Sequence, residues 1–263
     1  MRSFPLGRYI IALTLLNAGS LRASPWLAAV SAFMMFANNL IFFLVWIIYF
    51  GKFSNLGGWR LDDVALLVGL VSWSFGLTSF LVAGMRDIAQ TIVDGRLDVH
   101  LGRPCHPLPT LLLSRSLPAG LGDLLSAFVF WLWFAGRTPE ELPLIILVAT
   151  AAAVVVAATT TIFHCLVFWF PSGLALCEEL FNTLLMVVYY PQHPFGFLVR
   201  IALFSIFPAG LIGFLPTEAI RDPDIFKVLA MVAAAAIYAA LAVLIFNRGL
   251  RRYSSGNSIL ELR

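Results

Sequence analysis

The side chains able to do chemistry are few, and their spacing closes most chemical routes. Lys52 and Lys227 are the only lysines, and neither follows the G-x-x-x-x-G run whose backbone amides and lysine would cradle nucleotide phosphates. No G-x-S-x-G or H-E-x-x-H occurs. Cys105, Cys165 and Cys177 form no C-x-x-C, and an odd number at those spacings argues against a disulfide framework or a zinc site. Cys105 and His106 adjoin between Pro104 and Pro107, but neighbours in a chain are not thereby oriented as nucleophile and base. The expectation is a chain that catalyses nothing itself and binds no metal or cofactor.

A second set of polar residues falls inside apolar blocks, where ionisable groups are costly and often functional. Asn38 and Asn39 lie deep in the first block, suited to interhelical hydrogen bonding or to lining a path. Glu178 and Glu179 open the fifth block, either at the headgroup boundary, where they favour a helix N-terminus, or as proton-coupling carboxylates. Asp123 carries the same two readings near one end of the third block. His164 reads as a hydrogen-bonded packing residue, since no second metal-ligand type lies at helical spacing.

The elements that must hold these residues are membrane helices. The chain is 60% hydrophobic and 12% charged over 263 residues, where a soluble domain has about 45–50% and about 25%. Formal net charge is +3, with no basic run among aromatics, so no nucleic-acid partner is expected. Apolar blocks run over Pro25–Phe50, Val64–Gly84, Leu117–Ala135, Leu142–Phe170 and Ile225–Phe246, and a spanning helix needs about 20 residues. Between the last two, Leu180–Tyr190 and Phe197–Leu215 are split by Pro191 and Pro194. Residues Ala149–Ala158 are small and β-branched, a face on which helices pack.

Arginine sets the topology. Arg2, Arg8 and Arg22 precede the first block, Arg86, Arg96, Arg103 and Arg115 follow the second, and Arg248, Arg251, Arg252 and Arg263 follow the last. The alternate loops are poorer, so both termini are expected in the cytoplasm and the number of crossings is even. Six spans fit, with Ser172–Tyr190 as the fifth and His193–Pro216 as a re-entrant element on the outer side, broken by Pro191, Pro194, Pro208 and Pro216. The alternative puts the fifth span at Phe197–Leu215. Leu6, Ile10, Leu13 and Leu16 recur at helical spacing between Arg8 and Arg22, predicting an N-terminal helix along the membrane interface rather than a cleaved signal.

The expected architecture is therefore an all-α polytopic membrane protein, one transmembrane domain over 1–263. It comprises an interfacial helix at 1–24, a cytoplasmic loop at 85–116, an outer re-entrant region at 191–224 and a cytoplasmic tail at 248–263. Within the loop, Ile88, Thr91 and Ile92 share a helical face and Gly95 is a natural stop. A short amphipathic helix there is what a soluble partner grips, or simply an interfacial helix.

Three motifs carry a family resemblance. Asp94-Gly95-Arg96-Leu97-Asp98-Val99-His100-Leu101-Gly102-Arg103-Pro104 resembles the G-x-L-D-x-x-L-x-R-P segment of ABC-2-type permeases, in a subgroup of six-span export permeases. Tyr190-Pro191 and the Phe204-to-Pro208 spacing resemble its Y-P and F-x-x-x-P features, and Gly249 to Asn257 resembles its closing G-x-x-R-Y-x-S-G-N. Gly102 and Cys105-His106 depart from the residues relatives more often carry there.

The resemblance implies a permease subunit of an ATP-driven exporter, paired with a second identical or related permease and with separate ATPase subunits that hold ATP and Mg. It implies a coupling helix at about Arg86–Arg96, with Arg86, Asp87, Asp94 and Arg96 as polar contacts and Ile88 and Ile92 as the docking face. It also implies a bacterial inner membrane. Aromatic, charge-poor blocks point to a lipidic or amphipathic substrate. A proton-coupled transporter using Glu178, Glu179 or Asp123, or a membrane scaffold, is the competing reading.

Overall fold

A computed structural model describes residues 24–53, 57–103, 105–190 and 197–253. The interfacial helix expected at 1–24, Pro191, Pro194 and the last residues of the tail lie outside them. All regular structure among the described residues is helical.

Helix α1, Pro25–Lys52, starts on a proline, whose missing N–H is no loss in a first turn, and stops where Phe53 turns extended. Gly57 and Gly58 then take positive φ, a conformation glycine adopts without a Cβ clash. Helix α2, Leu61–Leu81, opens with Asp62 and Asp63 in its first turn, and the Asp63 carboxylate accepts the Arg60 N–H at 2.9 Å. A tight turn, Ala83–Asp87, leads to three short helices: α3 Ile88–Val93, α4 Leu97–Leu101 and α5 Pro107–Leu112. Helix α6, Ala119–Val129, runs on as a wider π turn, Phe130–Phe134. Helix α7, Leu142–His164, ends in the tight turn Cys165–Phe168, and α8 covers Leu174–Val188. Then come α9, Phe197–Ser205, a π turn Gly210–Phe214 leading into α10, Leu215–Arg221, and α11, Ile225–Leu250.

The long helices pack side by side in the order α1, α6, α2, α7, α11. Helix α2 is the centre: Leu66, Val68, Leu70 and Val71 are inaccessible to solvent, and burial all round is the mark of an interior helix. Hydrocarbon gives apolar helices little drive to associate, so close approach at small residues must hold them. At Gly122 on α6 an added Cβ would overlap the Ala32 carbonyl oxygen of α1. On its other side, Gly76 of α2 leaves a Cβ only 2.7 Å from the Asp123 Cβ and 2.9 Å from the Gly120 carbonyl oxygen. The Ala149–Ala158 stretch lies in α7, which packs between α2 and α11, and Ala149, Ala152, Val155 and Val156 are buried.

Helices α1, α2, α7 and α11 are long and apolar enough to cross a membrane. Helix α6 with its π turn is shorter, and the 15 residues of α8 rise about 22 Å against a hydrocarbon core of about 30 Å. Pro216, expected as a breaker at the edge of an outer element, sits instead in the first turn of α10, which continues to Arg221. The wide turn before it makes room for a residue that cannot donate to the helix ladder. At this end of the bundle Arg221 clasps Asp63 at 2.8 Å and lies over the Trp59 ring at 5.4 Å, with Trp59 stacked on Phe214.

Candidate functional site

The short helices between α2 and α6 form a platform capping the ends of α7 and α8. Met85, Ile88, Ala89, Ile92 and Leu97 are buried and belong to the chain's own core. Ile88 and Ile92 were expected to face a partner. They turn inward instead, against the turn that ends α7 and against α8, because a six-residue helix has only one apolar face and the bundle end needs a lid. Arg86 also turns inward: its guanidinium sits 4.6 Å from the centroid of the Phe181 ring on α8.

The outward face is polar and tied to itself. Asp87 pairs with Arg115 at 3.1 Å, across 28 residues of chain. Asp94 accepts from Gln90 Nε2 at 2.6 Å and from Arg96 at 2.8 Å, with Gly95 at φ 70° making the turn between them. Exposed pairs like these contribute about 0–1 kcal/mol, so fold stability is a poor reason for them. Asp87, Gln90, Thr91, Arg96, Val99 and His100 line a shallow depression of about 460 Å³, closed by Ser114 and Arg115. The single Thr110 hydroxyl proton goes to the Pro107 carbonyl at 2.7 Å, so at 3.0 Å the network assigns His100 Nδ1 as the donor to Thr110. Partial burial, and then the Arg103 charge, hold the His100 imidazole below its ordinary value of 6.5.

The tail closes onto the same platform. His106 meets Asn247 at 2.9 Å, Phe168 packs edge-on against Phe246 and Tyr253, and a Cβ on Gly249 would overlap the Phe168 ring. The Tyr253 hydroxyl is pushed up to about 12, first by burial and then by Asp98 beside it. The motif around Asp98 and the one around Tyr253 are far apart in sequence and adjacent in space.

Deeper in the bundle, Asn39 of α1 donates its amide to Asp123 Oδ1 at 2.7 Å and lies 2.9 Å from the Ser126 hydroxyl, both on α6. All three residues are buried, and Asp123 Oδ2 has no partner among the described residues. Asn38, one residue away, points off the other side of α1 and is exposed. Glu178 is half-buried and Glu179 exposed in the early turns of α8, at the platform end. His164 is buried and hydrogen-bonds the Thr160 carbonyl through Nδ1 at 2.8 Å. Cys165 and Cys177 are buried free thiols and Cys105 a half-buried one.

The family described as ABC-2 family transporter protein matches residues 35–257, from the middle of α1 through the tail motif. The chain belongs to that family. Neither a curated protein nor a solved structure matches it. ABC-2 permease domains are the membrane components of their transporters and carry no ATPase of their own. The structure keeps Asp87, Asp94 and Arg96 of this permease at its polar surface, takes Ile88 and Ile92 inside, and leaves Arg86 half-buried over the Phe181 ring. Gln90, Val99, His100 and Arg115 were missed by sequence reasoning. Val99 was the findable one, an apolar residue between Asp98 and His100 that packing leaves exposed.

Proposed function

We propose that this ABC-2 permease is the membrane-spanning subunit of an ATP-driven exporter, and that separate ATPase subunits dock in the depression between α3, α4 and Arg115. The observation that carries this reading is a polar surface mounted on a buried lid. Asp87, Gln90 and Arg96 face outward from a segment whose other side, Ile88 and Ile92, is locked against α7 and α8. A partner that pushes on that surface moves the ends of two helices. Coupling needs contacts that differ between two states of the ATPase, and charged, exposed side chains are suited to exchanging partners.

In this reading six crossings are completed by α6 and α8, α9 and α10 form the outer re-entrant pair, and both termini lie in the cytoplasm of a cell with the chain in its inner membrane. A second permease, identical or related, covers the exposed apolar side of α1, where Trp26, Phe33, Met34, Ile41 and Ile48 project. Asn38 near the middle of that helix supports this, since an exposed amide at membrane depth is costly in lipid and favourable against a partner or a polar path. The aromatic cluster of Phe42, Trp46, Tyr189 and Tyr190 beside it suits a lipidic or amphipathic substrate.

The test is co-purification in detergent followed by mass spectrometry and by charge reversal, Asp87→Arg and Asp94→Arg. A stoichiometric ATPase that is lost from the charge-reversed permease is the expected result. An ATPase that stays bound and stimulated in both variants overturns the docking surface. One observation favours a second reading: Asp123 is buried and its Oδ2 has no partner among the described residues, and a buried carboxylate of this kind is what a proton relay needs. Transport driven by a pH gradient in the absence of any ATPase would establish that reading instead.

A further inference from the structure

We infer that an anionic phospholipid is resident in a groove on the far side of the bundle from α1, its chain between α2, α7 and α11 and its phosphate on Arg248 and Arg251. The inference does not depend on the ATPase reading.

The groove has a volume of about 390 Å³ and is lined by apolar side chains such as Leu81, Leu112, Ala153, Ala157 and Val243. Its polar residues, Thr78, Thr150 and Thr161, each already have a hydrogen-bond partner within the protein. Thr78 donates to the Ser74 carbonyl, Thr161 to the Ala157 carbonyl, and Thr150 accepts from the Trp73 indole at 3.2 Å. The groove therefore asks mainly for apolar contact from a ligand. A peptide helix, about 10–12 Å across, would fill that volume in about one turn, whereas an extended acyl chain runs its length.

The groove does not end in apolar surface. Ala239 and Val243 also lie on an open face of α11 that continues through Asn247, Arg248 and Arg251. Ala239, Val243, Asn247 and Arg251 are each four residues apart, so they form one line along α11, from the groove to the platform end about 18 Å away. Arg60, Arg96, Arg115, Arg137 and Arg221 each have an ion pair; Arg248 and Arg251 have none among the described residues.

Asn247 adds donors rather than acceptors. His106 Nδ1 accepts the Leu108 N–H, so its Nε2 carries the proton and donates to Asn247 Oδ1 at 2.9 Å. The amide NH₂ of Asn247 is left for a ligand on that face. Two guanidinium groups and an amide donor at headgroup level, continuous with a dry chain groove, match a phosphodiester with an attached acyl tail.

The permease is purified in detergent, exchanged into mixed micelles of phosphatidylglycerol and phosphatidylcholine, and its bound lipid counted by native mass spectrometry. Wild type is expected to keep about one phosphatidylglycerol per chain, in preference to phosphatidylcholine. Arg248→Gln with Arg251→Gln is expected to lower that preference at least tenfold. Val243→Trp, at an exposed position that tolerates bulk, fills the groove and is expected to lose the lipid with the arginines intact. Equal retention of the two lipids by wild type overturns the proposal, as does retention unchanged in both variants. A disulfide between two copies of Val243→Cys would overturn it too, by showing that another chain covers the groove.

Discussion

The Arg86 guanidinium lies over the ring of Phe181, 4.6 Å from its centroid, and so joins the loop between α2 and α6 to the helix that follows α7. Arg86 is therefore a half-buried strut between the platform and α8. A cation over an aromatic face is worth about 0.5–2 kcal/mol depending on desolvation. Phe181→Leu keeps an apolar side chain and removes the ring, and is expected to lower the thermal midpoint of the purified permease by a few degrees. In a reconstituted complex it should also weaken transport more than ATP hydrolysis. Equal loss of both activities would mean that the contact stabilises without transmitting.

The Asn39–Asp123–Ser126 cluster predicts non-additive mutations. Asn39→Leu leaves the Asp123 carboxylate buried without its 2.7 Å donor, a cost of about 1–3 kcal/mol or more for a charged group. Asp123→Leu combined with Asn39→Leu removes both ends and is expected to be milder than Asn39→Leu alone. Denaturation midpoints of the two single variants and the double variant in detergent form the cycle that checks it. Simple additivity would mean the two residues do not act as a unit.

Close approach at α6 predicts a sharp contrast between glycines. At Gly122 a Cβ would overlap backbone, the Ala32 carbonyl oxygen, which has no rotamer to escape into. At Gly102 the nearest atom to a Cβ is 3.7 Å away, an ordinary contact. Gly122→Ala is expected to cost several kcal/mol, enough to lose the folded permease from the membrane fraction. Gly102→Ala is expected to express as wild type. Comparable yields by fluorescence-detected gel filtration would refute the packing assigned to α1 and α6.

His100 predicts a pH dependence of the platform. Its imidazole is held below the ordinary 6.5 by burial and by Arg103, so the unfolded loop binds the proton more readily than the folded one. Its contribution is complete above pH 6.5 and declines as pH falls through the window from 6.5 down to the depressed folded value. Amide exchange across residues 88–101 is expected to quicken as pH falls from 7 to 5, after correction for intrinsic rates. His100→Gln, which stays neutral, should flatten that response. An unchanged pH response in that variant would assign the effect to another group.

Much of this fold was legible in the chain because hydrocarbon permits few backbones. Long apolar runs must become helices, and Pro25–Lys52, Leu61–Leu81, Leu142–Phe168 and Ile225–Leu250 appear within a few residues of where composition put them. The loop that carries the polar depression was also legible, as a charged stretch with a glycine stop between two apolar runs. The direction in which its side chains point was not. Helical spacing puts Ile88 and Ile92 on one face and Asp87 and Asp94 elsewhere, but it does not say which face meets the bundle.

The sequence by itself determined that this chain lives in a bilayer, where its four long helices run, that no nucleotide-binding lysine loop is present, and, through its motifs, the ABC-2 family. Only the tertiary structure decided the pairings: Asn39 with Asp123, Arg86 with Phe181, His106 with Asn247, and the apolar groove between α2, α7 and α11. The physical reason is separation along the chain. Solvent preference is a property of each residue and its near neighbours, whereas these contacts join residues tens to hundreds of positions apart. The Asn39–Asp123 contact exists because glycines let α6 close against α1 and α2 on opposite sides.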